Sequence, residues 1–281
     1  MGLRAGLEIL RPANCIMIGF AVIVGVFVSK PAQVNAVQGA LGFLTGFFIC
    51  AYSMSVNDIY DIEVDKVNRP DRPIPSGRVS TPAAVRLALL VLLAGVAASV
   101  LSLNPLAVVI ALFYAFLSWL YNNSAKQTGL PGNLIVASSL AIPFIYGGVI
   151  SGGNLTRSLL LMMALTSFFS GVGREVVKAM ADIEGDAKRG VNSLARKNGL
   201  RFASGVGAIF FVLAVFTSWI PLALGLANEF YTFGVVVPDA IFVYLAASIL
   251  AGNDPANAHK VKRTALIGMA VGLIVFVGGA Y

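Results

Sequence analysis

Charge is scarce in this chain: Asp, Glu, Lys and Arg make up only 12% of its 281 residues, about half their share in a soluble domain. That shortage excludes a water-soluble globule and a disordered tail. Histidine occurs once, at His259, and cysteine twice, at Cys15 and Cys50. No Ser, His, Asp or Cys, His constellation can be assembled from these, so nucleophilic hydrolysis is not expected. A secreted disulfide scaffold is excluded as well, and both thiols fall within apolar runs, where they read as small buried side chains. His259, beside Lys260 in a polar stretch, reads as solvated.

Long hydrophobic runs are what the chain has instead. Apolar residues reach 58% and the mean hydropathy is +0.85. A spanning helix needs about 20 predominantly apolar residues, and runs of that length start near Pro12, Asn35, Pro82, Pro105, Leu130, Ser158, Phe202, Phe233 and His259. The expectation is an all-α, polytopic membrane protein with nine transmembrane helices, forming a single intramembrane domain over residues 1–281. In the eighth run Pro238 and Asp239 interrupt, and could instead be the first turn of a helix that begins there. The first run follows Arg4 and Arg11 but is too long for a signal peptide and lacks a cleavage site, so it should remain as a helix. The residues after Gly2 also lack the hydroxyl of a myristoylation signal.

Nine spans place the N-terminus on the same side as the loops after spans two, four, six and eight. Of the 20 basic residues only Lys30 and Arg157 fall near the other face. The positive-inside rule therefore puts the N-terminal side in the cytoplasm of a multi-pass cell-membrane protein. Glu229 and Asp239 would mark the outer side. The net charge of +7 reads as topology plus attraction to anionic membrane lipids. No basic stretch stands apart from the spans, so nucleic acid is not an expected partner.

Nine of the 13 acidic residues crowd into two cytoplasmic segments, Asp58 to Asp71 and Glu175 to Asp186. If span two continues helically, Asn57, Asp61 and Asp65 share a face at i, i+4 and i+8, with Asp58 beside them. Like charges so placed at a membrane boundary want a cation. Arg174, Lys178, Asp182 and Asp186 repeat the i+4 spacing, with Glu175 and Glu184 off that line. Carboxylates without His or Cys specify a hard ion, and few ligands per cluster suit Mg²⁺, which shares its shell with waters and substrate phosphates. Two ions are expected. Arg69, Arg72 and Arg78 follow the first cluster, Lys126 lies in the loop after span four, and Arg174, Lys178, Lys188 and Arg189 surround the second. Arg forks and Lys point charges are what a diphosphate requires beyond metal. The intervening NRPDRPIPSGRVST, from Asn68, is a stiff turn ending in a Ser80 or Thr81 cap, with Pro82 opening span three.

These residues resemble the UbiA superfamily of intramembrane prenyltransferases. Its NDxxDxxxD pattern is met by Asn57, Asp58, Asp61 and Asp65, its RPxRPIPSG string runs from Arg69 to Gly77, Tyr121 and Lys126 match the span-four loop, and Asp182 and Asp186 form the second DxxxD. The resemblance implies nine helices around a central cavity under cytoplasmic cap loops. It further implies Mg²⁺ held by Asp58, Asp61, Asp65, Asp182 and Asp186 on an isoprenyl diphosphate whose tail lies in a lipid-facing groove. REVVKAMADIEGD, from Arg174, and the following KRGVNSLARKNG look most like the digeranylgeranylglyceryl phosphate synthases, which transfer a geranylgeranyl group to a lipid acceptor, geranylgeranylglyceryl phosphate, in archaeal ether-lipid synthesis. Ala179, Ala181 and Leu194–Ala195 depart from that subfamily's usual residues. Aromatic-acceptor enzymes of quinone synthesis share the first motif, so an aromatic acceptor stays open.

In such a reaction cations draw off the diphosphate, and the allylic cation left behind must be kept from water. Asp61, Asp182, Lys126 and Tyr121 are the expected catalytic residues. Asn57, Arg69, Arg72, Lys126, Arg174 and Lys178 are expected on the diphosphate, and Arg11, Lys188, Arg189 and Lys197 on an acceptor phosphate; Asn14, entering span one, reads either as a substrate contact or as a helix-packing hydrogen bond. Tyr60, Tyr114, Tyr121 and Tyr146 are cation–π candidates. Gly42 and Gly46, and Gly268 and Gly272, have the spacing of close helix packing. The competing class is an ion-coupled transporter, which would place carboxylates near the midplane rather than at span ends.

Overall fold

The computed structural model describes residues 2–29, 35–153, 158–188 and 190–280. All of its regular elements are helical: α1 (Leu3–Leu10), α2 (Pro12–Val28), α3 (Ala36–Tyr60), α4 (Ile62–Asn68), α5 (Thr81–Leu101), α6 (Pro105–Asn123), α7 (Leu130–Ile150), α8 (Ser158–Ala181), α9 (Ile183–Lys188), α10 (Leu194–Asn198), α11 (Leu200–Ala223), α12 (Glu229–Gly234), α13 (Val236–Ala251) and α14 (Pro255–Gly279). A 3₁₀ turn at Ala125–Gln127 joins α6 to α7.

Local sequence explains where the helices begin. Pro12, Pro105 and Pro255 open α2, α6 and α14, and Pro82 lies in the first turn of α5. A missing N–H costs nothing there. Asn35, Asn104 and Asn228 cap α3, α6 and α12 through side-chain oxygens that accept backbone N–H groups at 2.8–3.3 Å; such caps are worth about 1 kcal/mol each. Asp254 caps α14 in the same way, and the backbone N–H groups it accepts hold its carboxyl below the usual range. Ser80 is the N-cap of α5 without a side-chain bond.

Among the described residues, eight segments are long and apolar enough to cross a bilayer: α3, α5, α6, α7, α8, α11, α12 with α13, and α14. The expected starts fall at or within a few residues of these helices. A ninth span depends on joining α1 to the 17-residue α2 across a 48° bend. Pro238 lies in the first turn of α13. Phe113, Phe116, Phe216, Trp219 and Phe233 are exposed, an arrangement suited to lipid and costly in water. The protein is a multi-pass membrane protein.

Two compact units divide the chain. The first comprises residues up to Val26, Pro31–Ser124 and Tyr146–Gly153; the second comprises Phe27–Lys30, Ala125–Ile145 and Asn154–Tyr281. Within the first, α3 packs on α5, α6 and α1, around Cys15, Ala51 and Val91. A Cβ at Gly42 would stand 3.0 Å from Val22, and one at Gly147 would run into the Val22 carbonyl. Within the second, α8 packs on α11 and α14 around Val172, Val176, Phe211 and Phe242. Gly268 lets α14 approach Ile241 and Phe242, whereas Gly272 meets only Pro238 at ordinary contact distance.

Asp239 departs from expectation. It does not mark an outer surface but is 7% exposed, with the Ser218 hydroxyl 2.9 Å from both carboxyl oxygens. Glu229 is exposed, as expected of a boundary residue. Lys30 and Arg157, the two basic residues assigned to that side, lie outside the described residues.

Candidate active site

In the first unit the end of α3 breaks for one residue, Asp61, before α4 resumes. The hydrogen bonds persist through the break, from Asp61 N to Asn57 O at 3.0 Å and from Asp65 N to Asp61 O at 2.8 Å. Two turns apart, Asp58 and Asp65 share the buried face, while Asp61 is half-buried. A single atom, Arg72 Nη1, donates to Asp58 Oδ1 at 3.1 Å and to Asp65 Oδ2 at 2.6 Å. Arg11 Nη2 donates to the same Asp58 oxygen. Burying a carboxylate costs several kcal/mol unless it is paired and hydrogen-bonded, so these guanidiniums are what allow Asp58 and Asp65 to stay buried.

Both arginines are held from behind. Arg72 belongs to the proline turn, in which Ser76 donates to Arg72 O at 2.6 Å and Val79 N to Pro73 O at 2.9 Å. Ile74 and Val79 from that turn pack against Ala5 and Ile9 of α1. Arg78 forms a fork with Glu8 at 3.1 and 2.8 Å and also donates to Asp71 O at 2.5 Å. Glu8 raises the Arg78 pKa further and so keeps it charged. Arg11 ends α1 in the left-handed region, at φ 50°, where its N–H closes on Leu7 O at 3.0 Å. A side chain there costs about 1 kcal/mol, and it stands before Pro12, which also disfavours helical backbone. The Asp58 ion pair compensates.

Asn57 donates to Asn122 Oδ1 at 2.8 Å, and Asn122 donates to Ser118 O at 2.9 Å. The Tyr60 hydroxyl reaches Asn123 Oδ1 at 3.5 Å. The end of α6 thus orients the end of α3. Asn14 Nδ2 lies 3.9 Å from Met54 Sδ, which Arg11 Nη1 also approaches, at 3.5 Å. Arg11, expected on a separate acceptor patch, is therefore bound to the first acidic cluster, and Asn14 shares the Met54 sulfur with it. Arg69 is exposed after α4, and Tyr121 is half-buried near the end of α6. Tyr146 bonds Ser99 at 2.9 Å near the end of α5 remote from the proline turn, a packing role rather than one beside Asp58.

The second unit repeats the pattern. Asp182 breaks the chain between α8 and α9, with Asp182 N on Lys178 O at 3.1 Å and Asp186 N on Asp182 O at 2.9 Å. The i+4 line from Arg174 to Asp186 holds, but its bases turn sideways. Arg174 Nη1 and Lys178 Nζ both donate to the buried Glu175, at 2.6 and 2.9 Å. Asp182 instead takes Lys262 of α14, at 3.2 and 3.4 Å. Asp186 is buried. The turn bearing Lys126 is tied to the segment after α9 by Asn192 N donating to Gln127 O at 2.9 Å. Gly129, at φ 79°, permits this: a Cβ there would meet Asn192 O. Arg189 and the Lys188 side chain lie outside the described residues. Lys197 and His259 are exposed.

Sequence spacing missed Arg11 as a partner of Asp58 and Glu175 as the partner of Arg174 and Lys178, and missed Asn122 and Lys262 altogether. A lone Asn or Lys in a helix carries no signal until its neighbours are known.

The arrangement fits Mg²⁺. Among the described residues no three His, Cys, Asp or Glu side chains form a ready metal cage, and Mg²⁺ does not require one, since it takes one or two carboxylates and completes its shell with water and phosphate. Arg72 Nη1 stands between two carboxylate oxygens as a cation. In the second unit Arg174 Nε is buried with no acceptor among the described residues, a donor suited to an anion.

Helices that cross a membrane and end in paired carboxylate and guanidinium groups define a polytopic membrane protein with a charged site at its span ends. The comparisons narrow it: residues 18–279 match the model of the UbiA prenyltransferase family, and the chain belongs to that family. It is 36% identical over 285 residues to the digeranylgeranylglyceryl phosphate synthase of Archaeoglobus fulgidus, covering 99% of this chain and 96% of that one. A solved structure described as a digeranylgeranylglyceryl phosphate synthase in membranes superposes with a TM-score of 0.89 at 33% identity, covering 99% and 98% of the two chains. A UbiA homologue from Archaeoglobus fulgidus bound to GPP and Mg²⁺ shares the fold, with a TM-score of 0.71 at 18% identity over 97% and 99%.

Proposed function

We propose that the chain transfers a geranylgeranyl group from its diphosphate to the free hydroxyl of geranylgeranylglyceryl phosphate, with residues 1–281 acting as one prenyltransferase domain and the reaction on the cytoplasmic side. The observation that carries the reading is the Asp58 and Asp65 pair bridged by Arg72 at the end of a membrane span, in a chain related over its full length to synthases of that name.

Asp58, Asp61 and Asp65 would hold one Mg²⁺, and Asp182 and Asp186 a second. Bound there, the metal neutralises charge that builds on diphosphate as its bond to the allylic carbon breaks. Arg72, Arg69 and Asn57 of the first unit, and Lys126, Arg174 and Lys178 of the second, bind phosphate oxygens. Arg72 leaves the carboxylates for the phosphate as the site fills, exchanging one anion for another at little electrostatic cost. Arg11 and Asn14 lie close enough to this centre to bind a phosphate there. Tyr121 flanks the developing allylic cation, and lipid-facing helices keep water from it.

Purified protein given geranylgeranyl diphosphate and Mg²⁺, with geranylgeranylglyceryl phosphate and 4-hydroxybenzoate competing in one tube, tests the acceptor. A diether phosphate by mass spectrometry is the expected product. A prenylated aromatic would move the enzyme to quinone synthesis.

A further inference from the structure

The second unit holds a small cavity with a few polar side chains in its wall, set apart from the acidic break. It lies between α8, α11, α13 and α14, has a volume of about 30 Å³, enough for one small ion or water, and has Asp239, Ser218, Ser170 and Thr166 in its wall. Ser170 is twelve residues before Asp182 along α8, so the cavity lies roughly 18 Å along that helix from the acidic break. Its remaining lining is largely apolar.

The hydroxyl protons of this wall are already committed. Ser170 donates to Thr166 O at 2.7 Å. Thr217 donates to Ala214 O at 2.9 Å, which leaves Thr166 as the donor in its 2.9 Å bond to Thr217. Ser218 has a single proton but three acceptors within reach, Val215 O at 2.7 Å and the two Asp239 oxygens at 2.9 Å. The indole of Trp219 is the other neutral donor near the carboxyl. Among the described residues no Lys, Arg or His pairs with Asp239. What faces the cavity is therefore one carboxyl and several lone pairs, a surplus of acceptors inside a membrane span. Acceptors left so in a low-dielectric interior are costly, and an intramembrane carboxyl without a basic partner wants a cation.

We propose that this cavity binds one monovalent alkali cation, Na⁺, through Asp239, Ser218, Ser170 and Thr166. Hard oxygen ligands favour an alkali or alkaline-earth ion over a transition metal. A single carboxylate balances one positive charge, whereas a divalent ion would leave a net charge within the membrane. The bound ion ties α13 to α8 and α11 and stabilises the second unit by mass action.

Thermal unfolding of the full chain in detergent with EDTA, in NaCl against choline chloride at equal ionic strength, tests this without involving the Mg²⁺ centre. The midpoint should rise by a few degrees in Na⁺ and saturate. Asp239→Asn should melt alike in both salts, and Ser170→Ala should raise the half-saturating Na⁺ concentration several-fold. Equilibrium dialysis of wild-type protein with ²²Na⁺ should show saturable binding, and this decides the matter if Asp239→Asn fails to fold. Equal melting in Na⁺ and choline without saturable ²²Na⁺ binding would overturn the proposal and leave a proton on Asp239.

Discussion

At the scale of single residues, Arg72 does most to hold the candidate site in its observed form. Its Nη1 is the shared donor to two buried carboxylates, so Arg72→Ala strands Asp65 and leaves Asp58 to Arg11 alone. Breaking a buried pair by removing one partner costs about 3 kcal/mol, and a melt beside a turnover assay should show loss of both stability and activity. Lys262 makes the opposite kind of prediction. It occupies Asp182, where Mg²⁺ is proposed, and so competes with the metal. Lys262→Met should lower the Mg²⁺ concentration that gives half-maximal rate; an unchanged value would remove Lys262 from the metal's surroundings. The acidic members of the site were legible in the sequence because carboxylates at i+4 spacing beside prolines and arginines are rare in an apolar chain. Their partners were not. Arg11 reaches Asp58 across 47 positions and Lys262 reaches Asp182 across 80, and no local pattern encodes such pairings.

Helix packing separates glycines that the sequence makes look alike. Gly147 sits where α7 presses its backbone on α2, against the Val22 carbonyl, whereas Gly272 has ordinary contact with Pro238. Gly147→Ala should destabilise by about 2 kcal/mol through overpacking, while Gly272→Ala should be near neutral. Midpoints of the two variants in the same detergent check the contrast. The amphipathic α1 is a second case. Ala5 and Ile9 hold the proline turn that carries Arg72, and Glu8 holds Arg78. Ile9→Asp should loosen that turn and depress turnover while the spanning helices stay folded by circular dichroism. Helix starts were readable to within a few residues because proline and asparagine mark them. The single-residue breaks at Asp61 and Asp182 were not, since a carboxylate at i+4 spacing reads as continuous helix; Asp58 and Asp65, two turns apart, share the buried face across the break.

Across the whole molecule, the scarcity of charge and the length of the apolar runs specify the all-helical, multi-pass class without help from any motif. The number of spans was less legible: eight segments qualify alone, and the ninth turns on the 48° bend at Arg11, a residue whose left-handed backbone no periodicity anticipates. Asp239 shows the same limit. In sequence it reads as a boundary charge, and in the fold it is enclosed by helices distant in the chain.

The proposed prenyl transfer depends on Mg²⁺ and on both acidic segments. Its most direct test is a Mg²⁺ titration of diether phosphate formation by wild-type, Asp65→Asn and Asp182→Asn proteins, each shown to be folded in detergent. Wild-type turnover should rise with Mg²⁺ and vanish in EDTA, and each variant should fall by about a hundredfold or more, in line with losing about 3 kcal/mol of transition-state stabilisation. Wild-type turnover by either variant, or product formed in EDTA, would contradict the account.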